Sequence, residues 1–475
     1  MGYRFWPMNL PCRQTGRHAT INFLFMNYET IKKADPEIYN IIKKEEERQK
    51  EGLELIPSEN YVSEAILEAM GSILTDKYAE GYPKKRYYGG NQFIDEVEAL
   101  CQKRALEAYG LDPKEWAVNV QPLSGSPANI AVYFALMNFG DKLLSLQLTE
   151  GGHLTHGAEA NFSGRAYKPV FYPLNPETQM LDYDSVKKLA HEHKPQIVLA
   201  GYTAYPRTID FIKFAQIAKE VGAYSMADIS HISGLIAAGV HPSPFPDMDV
   251  VTTTTHKLLR GPRAAVIFSK RSTMKDGKSI SDLIDKAIFP GLQGGPHEHT
   301  IAGVAIAFKE TMTDEFKKYA AQVITNAKAL AASLMENGIK LVSGGTDNHL
   351  LLIDLTPFGP GKGIFVQEAL EQASITANKN TIPNEPASPF FPSGLRLGTP
   401  SITTRGFKEG DMKNVGKWIS EIIKAVSNYE YYNDKAKRQQ EIQKFRMELP
   451  TNEVIKRVKK EVNDFCSKFP VPGID

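Results

Sequence analysis

Between about residue 117 and residue 270 the chain alternates short apolar runs with helical patterns. No other feature constrains its fold as strongly. VNVQPLSGSPANIAVYFALM reads as a strand, a Ser/Gly turn and a helix opened by Ser126-Pro127, because proline is tolerated in a first helical turn. KLLSLQL (142–148), QIVLAGYTAY (196–205), AYSMADIS (223–230), DVVTTTT (249–255) and AAVIFSK (264–270) read as further strands. Among them TIDFIKFAQIAKEVG (208–222) carries Ile209, Ile212, Ile217 and Val221 at helical spacing. Strands alternating with helices predict an α/β protein with a largely parallel, doubly wound sheet. Such sheets bind ligands at the carboxyl ends of their strands. Ser124-Gly125-Ser126, Thr203, Asp228 with His231, and His256-Lys257 stand at those ends.

A length of 475 residues predicts more than one domain. After roughly residue 318 a long helix, a strand at 349–355, a helix near 363–373, GLRLGTP (394–400) and a helix from about 411 predict a smaller α+β domain. The expected division is an extension over 1–25, a helical arm over 26–55, a large domain over 56–310 and a small domain over 311–475. A formal net charge of +1 offers no field for nucleic acid, and no apolar run is long enough to span a membrane. Cys12, Cys101 and Cys466 build neither a disulfide framework nor a zinc site, which predicts a reducing compartment. The first 25 residues hold Arg4, Arg13 and Arg17 and no acid. They are expected to be disordered. They suit either an organelle transit peptide or translated sequence upstream of a start at Met26. The expected location is cytoplasmic, or an organelle matrix if the first of these holds.

Two segments stand apart from the alternation. Residues 28–51 read as a charged helix capped at Asp35-Pro36, with Ile38, Ile41 and Ile42 as its apolar stripe. Residues 52–92 hold Tyr61, Tyr78, Tyr82, Tyr87 and Tyr88, too much aromatic surface to leave in water, so the segment is expected to pack against something.

The chemistry concentrates at VVTTTTHK. Four β-branched residues make a stiff, half-polar strand that would hold Lys257 in place. His256, Arg260 and Arg263 would lower the pKa of its amine and favour a nucleophile. Taken alone, Lys257 reads more readily as a surface lysine. Asp228 suits a protonated pyridine nitrogen, or a helix N-cap. Ser124-Gly125-Ser126 suits a phosphate at a helix N-terminus, or a simple cap. All three together, in this order and at strand ends, resemble the pyridoxal phosphate enzymes of the aspartate aminotransferase type.

LIPSENYVS, KYAEGYPKKRYYGG, QPLSGSPAN, GGHLTHG, VVTTTTHK, GPRAAVIF, FPGLQGGP, SGGTDNHL and GLRLGTP resemble the serine hydroxymethyltransferase family over about residues 30–425. Three departures stand out: Ile56-Pro57 for the usual Ile-Ala, Lys84 for a common Gly, and Ala264-Ala265 for a common Gly-Gly. The resemblance implies fold type I, with a mostly parallel seven-stranded sheet flanked by helices. It implies transfer of a one-carbon unit between serine and tetrahydrofolate, with pyridoxal 5'-phosphate covalent on Lys257. In that pattern Asp228 pairs with the pyridine nitrogen and His153 stacks on the ring. Thr203 and His231 contact the phenolic oxygen and ring region. Ser124, Gly125, Ser126 and His256 hold the phosphate, while Tyr78 and Gly295 reach a neighbouring subunit's phosphate. Arg396 and Ser58 bind the substrate carboxylate. Glu80 is the acid/base, supported by Tyr88, and Glu80, Leu148, Gly152 and Asn380 contact folate. A homodimer, or a tetramer, would share its active sites. A folate-independent aldolase keeps Lys257, Asp228 and Arg396 but has no need of Glu80 and Asn380. A silent or RNA-binding scaffold has no need of the intact Lys257, Asp228, His153 and Arg396.

Overall fold

The computed structural model describes residues 28–474; the expectations for residues 1–25 lie outside them. Seven strands form the main sheet: β1 (Trp116–Asn119), β2 (Lys142–Leu146), β3 (Lys168–Tyr172), β4 (Ile197–Gly201), β5 (Tyr224–Asp228), β6 (Val250–Thr254) and β7 (Ala265–Lys270). Their spatial order is β1-β7-β6-β5-β4-β2-β3. β7 runs antiparallel to both neighbours, and the remaining pairings are parallel. The predicted α/β class and mostly parallel sheet are therefore what the chain forms.

Alternate residues of the central strands enter opposite cores. Leu143, Ile197, Leu199, Met226, Val250 and Ile267 pack on one face, where they meet the helix Gly125–Leu136. Leu144, Val198, Ala200, Ala227, Val251 and Phe268 pack on the other, with Phe211, Phe214 and Ile217 of the helix Phe211–Val221. Burial on both faces favours apolar residues at successive strand positions, which is why most of these runs do not alternate in polarity.

A second core joins a four-stranded antiparallel sheet to the C-terminal helices. Its strands are Lys340–Leu341, Leu350–Asp354, Gly394–Gly398 and Asn378–Asn380, in that spatial order. The helix Asp314–Glu336 belongs to both cores: Phe316, Tyr319 and Val323 enter the first, and Ala327, Leu330 and Leu334 the second. Two details depart from the sequence reading. Residues 28–51 form two helices, Glu29–Ala34 and Pro36–Glu51, with Asp35 capping the second through Glu37 N and Ile38 N. The isoleucine stripe of that second helix is not buried: Ile41 is 60% exposed, and the buried residue there is Glu46.

Candidate active site

The four threonines are all buried, and each hydroxyl has its own partner. Thr252 donates to Asn129 Oδ1 (2.8 Å), Thr253 to the Thr254 carbonyl (2.9 Å) and Thr255 to the Pro262 carbonyl (2.6 Å). The Thr254 hydroxyl accepts from Lys257 Nζ at 2.9 Å. The expected half-polar strand is thus a buried one whose polarity is spent internally. It delivers Lys257 into a turn closed by Arg260 N on the Lys257 carbonyl (3.1 Å) and Gly261 N on the Thr255 carbonyl (2.8 Å).

The Lys257 amine is pushed down to about 8, mainly by burial, with Arg396 and Arg263 helping and Asp228 opposing. This corrects the sequence reading of the cause. Arg260 turns away and places its guanidinium 4.5 Å from the Tyr319 ring centre. His256 is itself held neutral, pushed down to about 3 by burial and by Lys257.

Asp228 ends β5 and is enclosed. Oδ2 accepts from Asn129 Nδ2 (2.8 Å) and faces His156 Nε2 (3.2 Å), while Oδ1 accepts from Ser230 N (3.0 Å). Burial alone would raise its pKa, but His156 and these hydrogen bonds hold it far below the usual carboxylate range. Asn129 also donates to Thr155 Oγ1 (2.9 Å), which lies 2.8 Å from His153 Nδ1. A polar chain therefore runs from Asp228 to His153, whose pKa burial lowers to about 4. The sequence reading assigned nothing to Asn129, Thr155 or His156. Asn129 could have been found: it lies four residues after Gly125, on the same helical face.

The first turn of the helix Gly125–Leu136 carries no acid, and its N-cap Ser124 makes no side-chain cap bond. A Cβ on Gly125 would lie 2.7 Å from Thr254 Cγ2, so glycine keeps the backbone amides close to the strand. Ser58, Ser124, Thr203, His231, Lys257 and Arg263 are among the residues lining one cavity of about 330 Å³. Two buried atoms in its wall, Thr203 Oγ1 and His256 Nδ1, have no protein partner. Larger recesses lie elsewhere, one of about 540 Å³ beside the helix Gln92–Ala108 and one of about 510 Å³ beside the helix Pro36–Glu51, but Asp228 and Lys257 line neither. An enclosed carboxylate for a ring cation, an amine of lowered pKa, a free helix N-terminus and two orphaned donors or acceptors form a set that pyridoxal phosphate fits. Among the described residues no group of side chains is arranged to hold a metal, and no helix is long and apolar enough to cross a membrane.

Arg396, on the strand Gly394–Gly398, is 7% exposed and not a surface arginine. Nη1 donates to the Thr203 carbonyl (2.8 Å) and Nε to Asn378 Oδ1 (3.1 Å); burial lowers its pKa to about 10. Asn380 lies on the next strand, with its amide on the Thr381 carbonyl at 2.7 Å. Leu148 and Gly152 sit in the turn after β2, which abuts Thr203 through Thr203 N on the Gly151 carbonyl (2.7 Å).

Eight predicted residues are not in the wall of the Lys257 cavity: Arg396, Leu148, Gly152 and Asn380, and also Tyr78, Glu80, Tyr88 and Gly295. The last four form their own cluster. The Tyr78 and Tyr88 rings meet edge to face at 5.0 Å. A Cβ on Gly295 would lie 3.6 Å from the Tyr78 ring, and one on Gly294 would lie 3.3 Å from Glu80 Oε1. The two segments are thus partners of each other. Nor does one chain bury all the tyrosines: Tyr61 is enclosed and Tyr82 donates to the Asp285 carbonyl (2.6 Å), but Tyr78 is 56% and Tyr87 80% exposed.

Comparison with known proteins agrees with this geometry. The family model described as serine hydroxymethyltransferase matches residues 31–419. A serine hydroxymethyltransferase of Caenorhabditis elegans is 45% identical over 98% of this chain and 94% of its own length. One of Caenorhabditis briggsae is 46% identical over 94% of this chain and 89% of its own.

Proposed function

The chain belongs to the serine hydroxymethyltransferase family, and on that premise we propose how its residues divide the work. The reaction interconverts L-serine and tetrahydrofolate with glycine and 5,10-methylenetetrahydrofolate, and it uses pyridoxal phosphate. When bound, pyridoxal phosphate supplies the electron sink for the bond broken at the substrate's α-carbon.

Lys257 carries the cofactor covalently, and the observation that supports this most is its enclosed amine on the Thr254 hydroxyl, pushed down to about 8. Asp228, kept ionised by Asn129 and His156, holds the protonated ring nitrogen. His153 covers the ring, and Thr203 and His231 face its phenolic oxygen. Ser124, Gly125, Ser126 and His256 hold the phosphate, with Arg263 as a further cation in the cavity wall. Arg396 and Ser58 orient the serine carboxylate. Glu80, supported by Tyr88, moves the proton of the folate-dependent step, and Glu80, Leu148, Gly152 and Asn380 meet the folate.

Two copies of the chain complete each site. In support, Tyr78, Glu80, Tyr88 and Gly295 cluster outside the cavity beside exposed aromatic surface, as they would if they served the cavity of a neighbour. The buried free thiols of Cys101 and Cys466 support a cytoplasmic location, or an organelle matrix if the first 25 residues act as an address; fractionation of cells bearing the tagged chain decides.

The central assignment is tested by reducing the loaded protein with borohydride and mapping its peptides. The label should fall on the peptide containing Lys257. A label on another lysine overturns the assignment.

A further inference from the structure

His231 ends its β5 connection inside the cavity wall, and its outer neighbour is another buried imidazole. His231 Nδ1 lies 3.2 Å from Nε2 of His349, a residue just before the strand Leu350–Asp354 in the other core. The rings are inclined by only 24° with centres 5.5 Å apart, the separation that two imidazoles joined edge to edge through an N···N hydrogen bond would have. His349 is not free to drift. Its loop is bolted to the segment after β4 by Arg207 on Asp347 (2.8 Å), Asp347 N on the Pro206 carbonyl (2.8 Å), and Asn348 Nδ2 on Tyr202 Oη (3.0 Å) and the Tyr205 carbonyl (3.1 Å).

One hydrogen must lie between the two rings, and its owner decides what His231 shows the cavity. Both rings are neutral: burial lowers both pKa values, and the nearby cations Lys257 and Arg396 lower them further. If His231 donated, His349 would carry its own hydrogen on Nδ1. That atom is buried and has no partner. An orphaned buried N–H is rarer and costlier than an orphaned lone pair. If instead His349 Nε2 donates, only a lone pair is stranded, and the His231 hydrogen moves to Nε2. That nitrogen has no protein partner among the described residues, and His231 is part of the cavity wall. We propose that His349 is a positioning residue that fixes the tautomer of His231 through the Nδ1···Nε2 bond, so that His231 offers the cavity an N–H donor and not an acceptor. The inference rests on the cofactor reading of the cavity only for what that donor meets.

The test uses the loaded enzyme with ring-15N histidine, with signals assigned by His231→Asn and His349→Phe. Near neutral pH both rings should show the neutral pattern with hydrogen on Nε2. In His349→Phe the His231 Nδ1 resonance should move as it loses its donor. The pH midpoint of the bound cofactor's visible band should shift by roughly 0.5–1 unit, the equivalent of one hydrogen bond. His349→Gln, which can donate an amide hydrogen from the same region, should bring the midpoint back. A hydrogen on His231 Nδ1, a doubly protonated ring, or a His231 signal and band midpoint unmoved in His349→Phe overturns the proposal. Should His349→Phe not fold, the wild-type tautomers and His349→Gln still decide. A protein that gains no visible band with pyridoxal phosphate refutes the cofactor reading, while the nitrogen shifts still read the tautomer.

Discussion

At the scale of single residues, enclosure decides the chemistry. Lys257 loses most of its basicity to burial, and Asp228 pulls the other way. Without bound cofactor, modification of Lys257 by an amine reagent should therefore rise with pH through about 8, where the neutral form takes over, and not through the ordinary lysine range. Asp228 raises this pKa, so Asp228→Asn should move the midpoint lower still. A midpoint near that of free lysine would falsify the account. Arg396 sits where a planar fork matters: Thr203 and Asn378 already orient its guanidinium. Arg396→Lys should weaken serine binding by about 1.5–3 kcal/mol, the worth of a charge-assisted hydrogen bond, with the cofactor retained. Calorimetric titration with serine checks this, and equal affinity in the two proteins counts against the clamp.

At the scale of elements, the KYAEGYPKKRYYGG segment is held from beneath. The enclosed Arg86 guanidinium donates to Glu98 (2.7 Å), Asp95 (2.9 Å) and the Ala79 and Gly81 carbonyls (both 2.9 Å). Gln121 donates to the same Glu98 and to the Gly81 carbonyl. Removing the cation strands the buried Glu98, so Arg86→Ala should cost about 3–5 kcal/mol in denaturant unfolding. A loss below about 1 kcal/mol would mean the network does not anchor the segment. Above it, Pro83-Lys84 forms the turn between Gly81–Tyr82 and Lys85–Arg86, with Lys84 at φ 64°. That conformation is strained for a side-chain-bearing residue and natural for glycine. Lys84→Gly should raise stability by roughly 0.5–1 kcal/mol, the relieved strain less the entropy glycine adds to the unfolded chain. The Lys84 N bond to Asp95 Oδ2 (2.7 Å) comes from the backbone and survives the substitution, so equal unfolding midpoints in the two proteins would refute the strain.

At the scale of the whole molecule, one chain keeps two groups of the proposed site residues apart. Tyr78 and its cluster lie outside the cavity of Lys257, beside the exposed ring of Tyr87, whose centre is 5.2 Å from that of Tyr88. If a second copy covers that surface, subunits carrying Lys257→Ala and subunits carrying Tyr78→Phe should recover activity when mixed, because one of the two hybrid sites is intact. No recovery despite proven subunit exchange sinks the shared-site reading. In the same assembly Glu80→Gln should keep cofactor, serine and glycine binding. Its folate-dependent cleavage of serine should fall by about 10²–10⁴, the usual loss when a proton-transfer group is removed. Loss of the cofactor instead would move the role elsewhere, with Glu59, in the wall of the Lys257 cavity, next in line.

Sequence alone determined what is local. The strand and helix alternation, the polar residues at strand ends, and the order of the Ser124-Gly125-Ser126 turn, Asp228 and Lys257 are all legible, because a strand's carboxyl end follows from the strand itself. What tertiary structure decided is set across long separations. Asn129 meets Asp228 and Arg396 meets Thr203 only through the packing of distant elements. Arg260, adjacent in sequence to the site, is turned onto Tyr319. Burial, the largest influence on Lys257, is a property of everything packed around it. The exposed tyrosines show the same limit: composition says that such surface should be covered, but a sequence does not say by which chain.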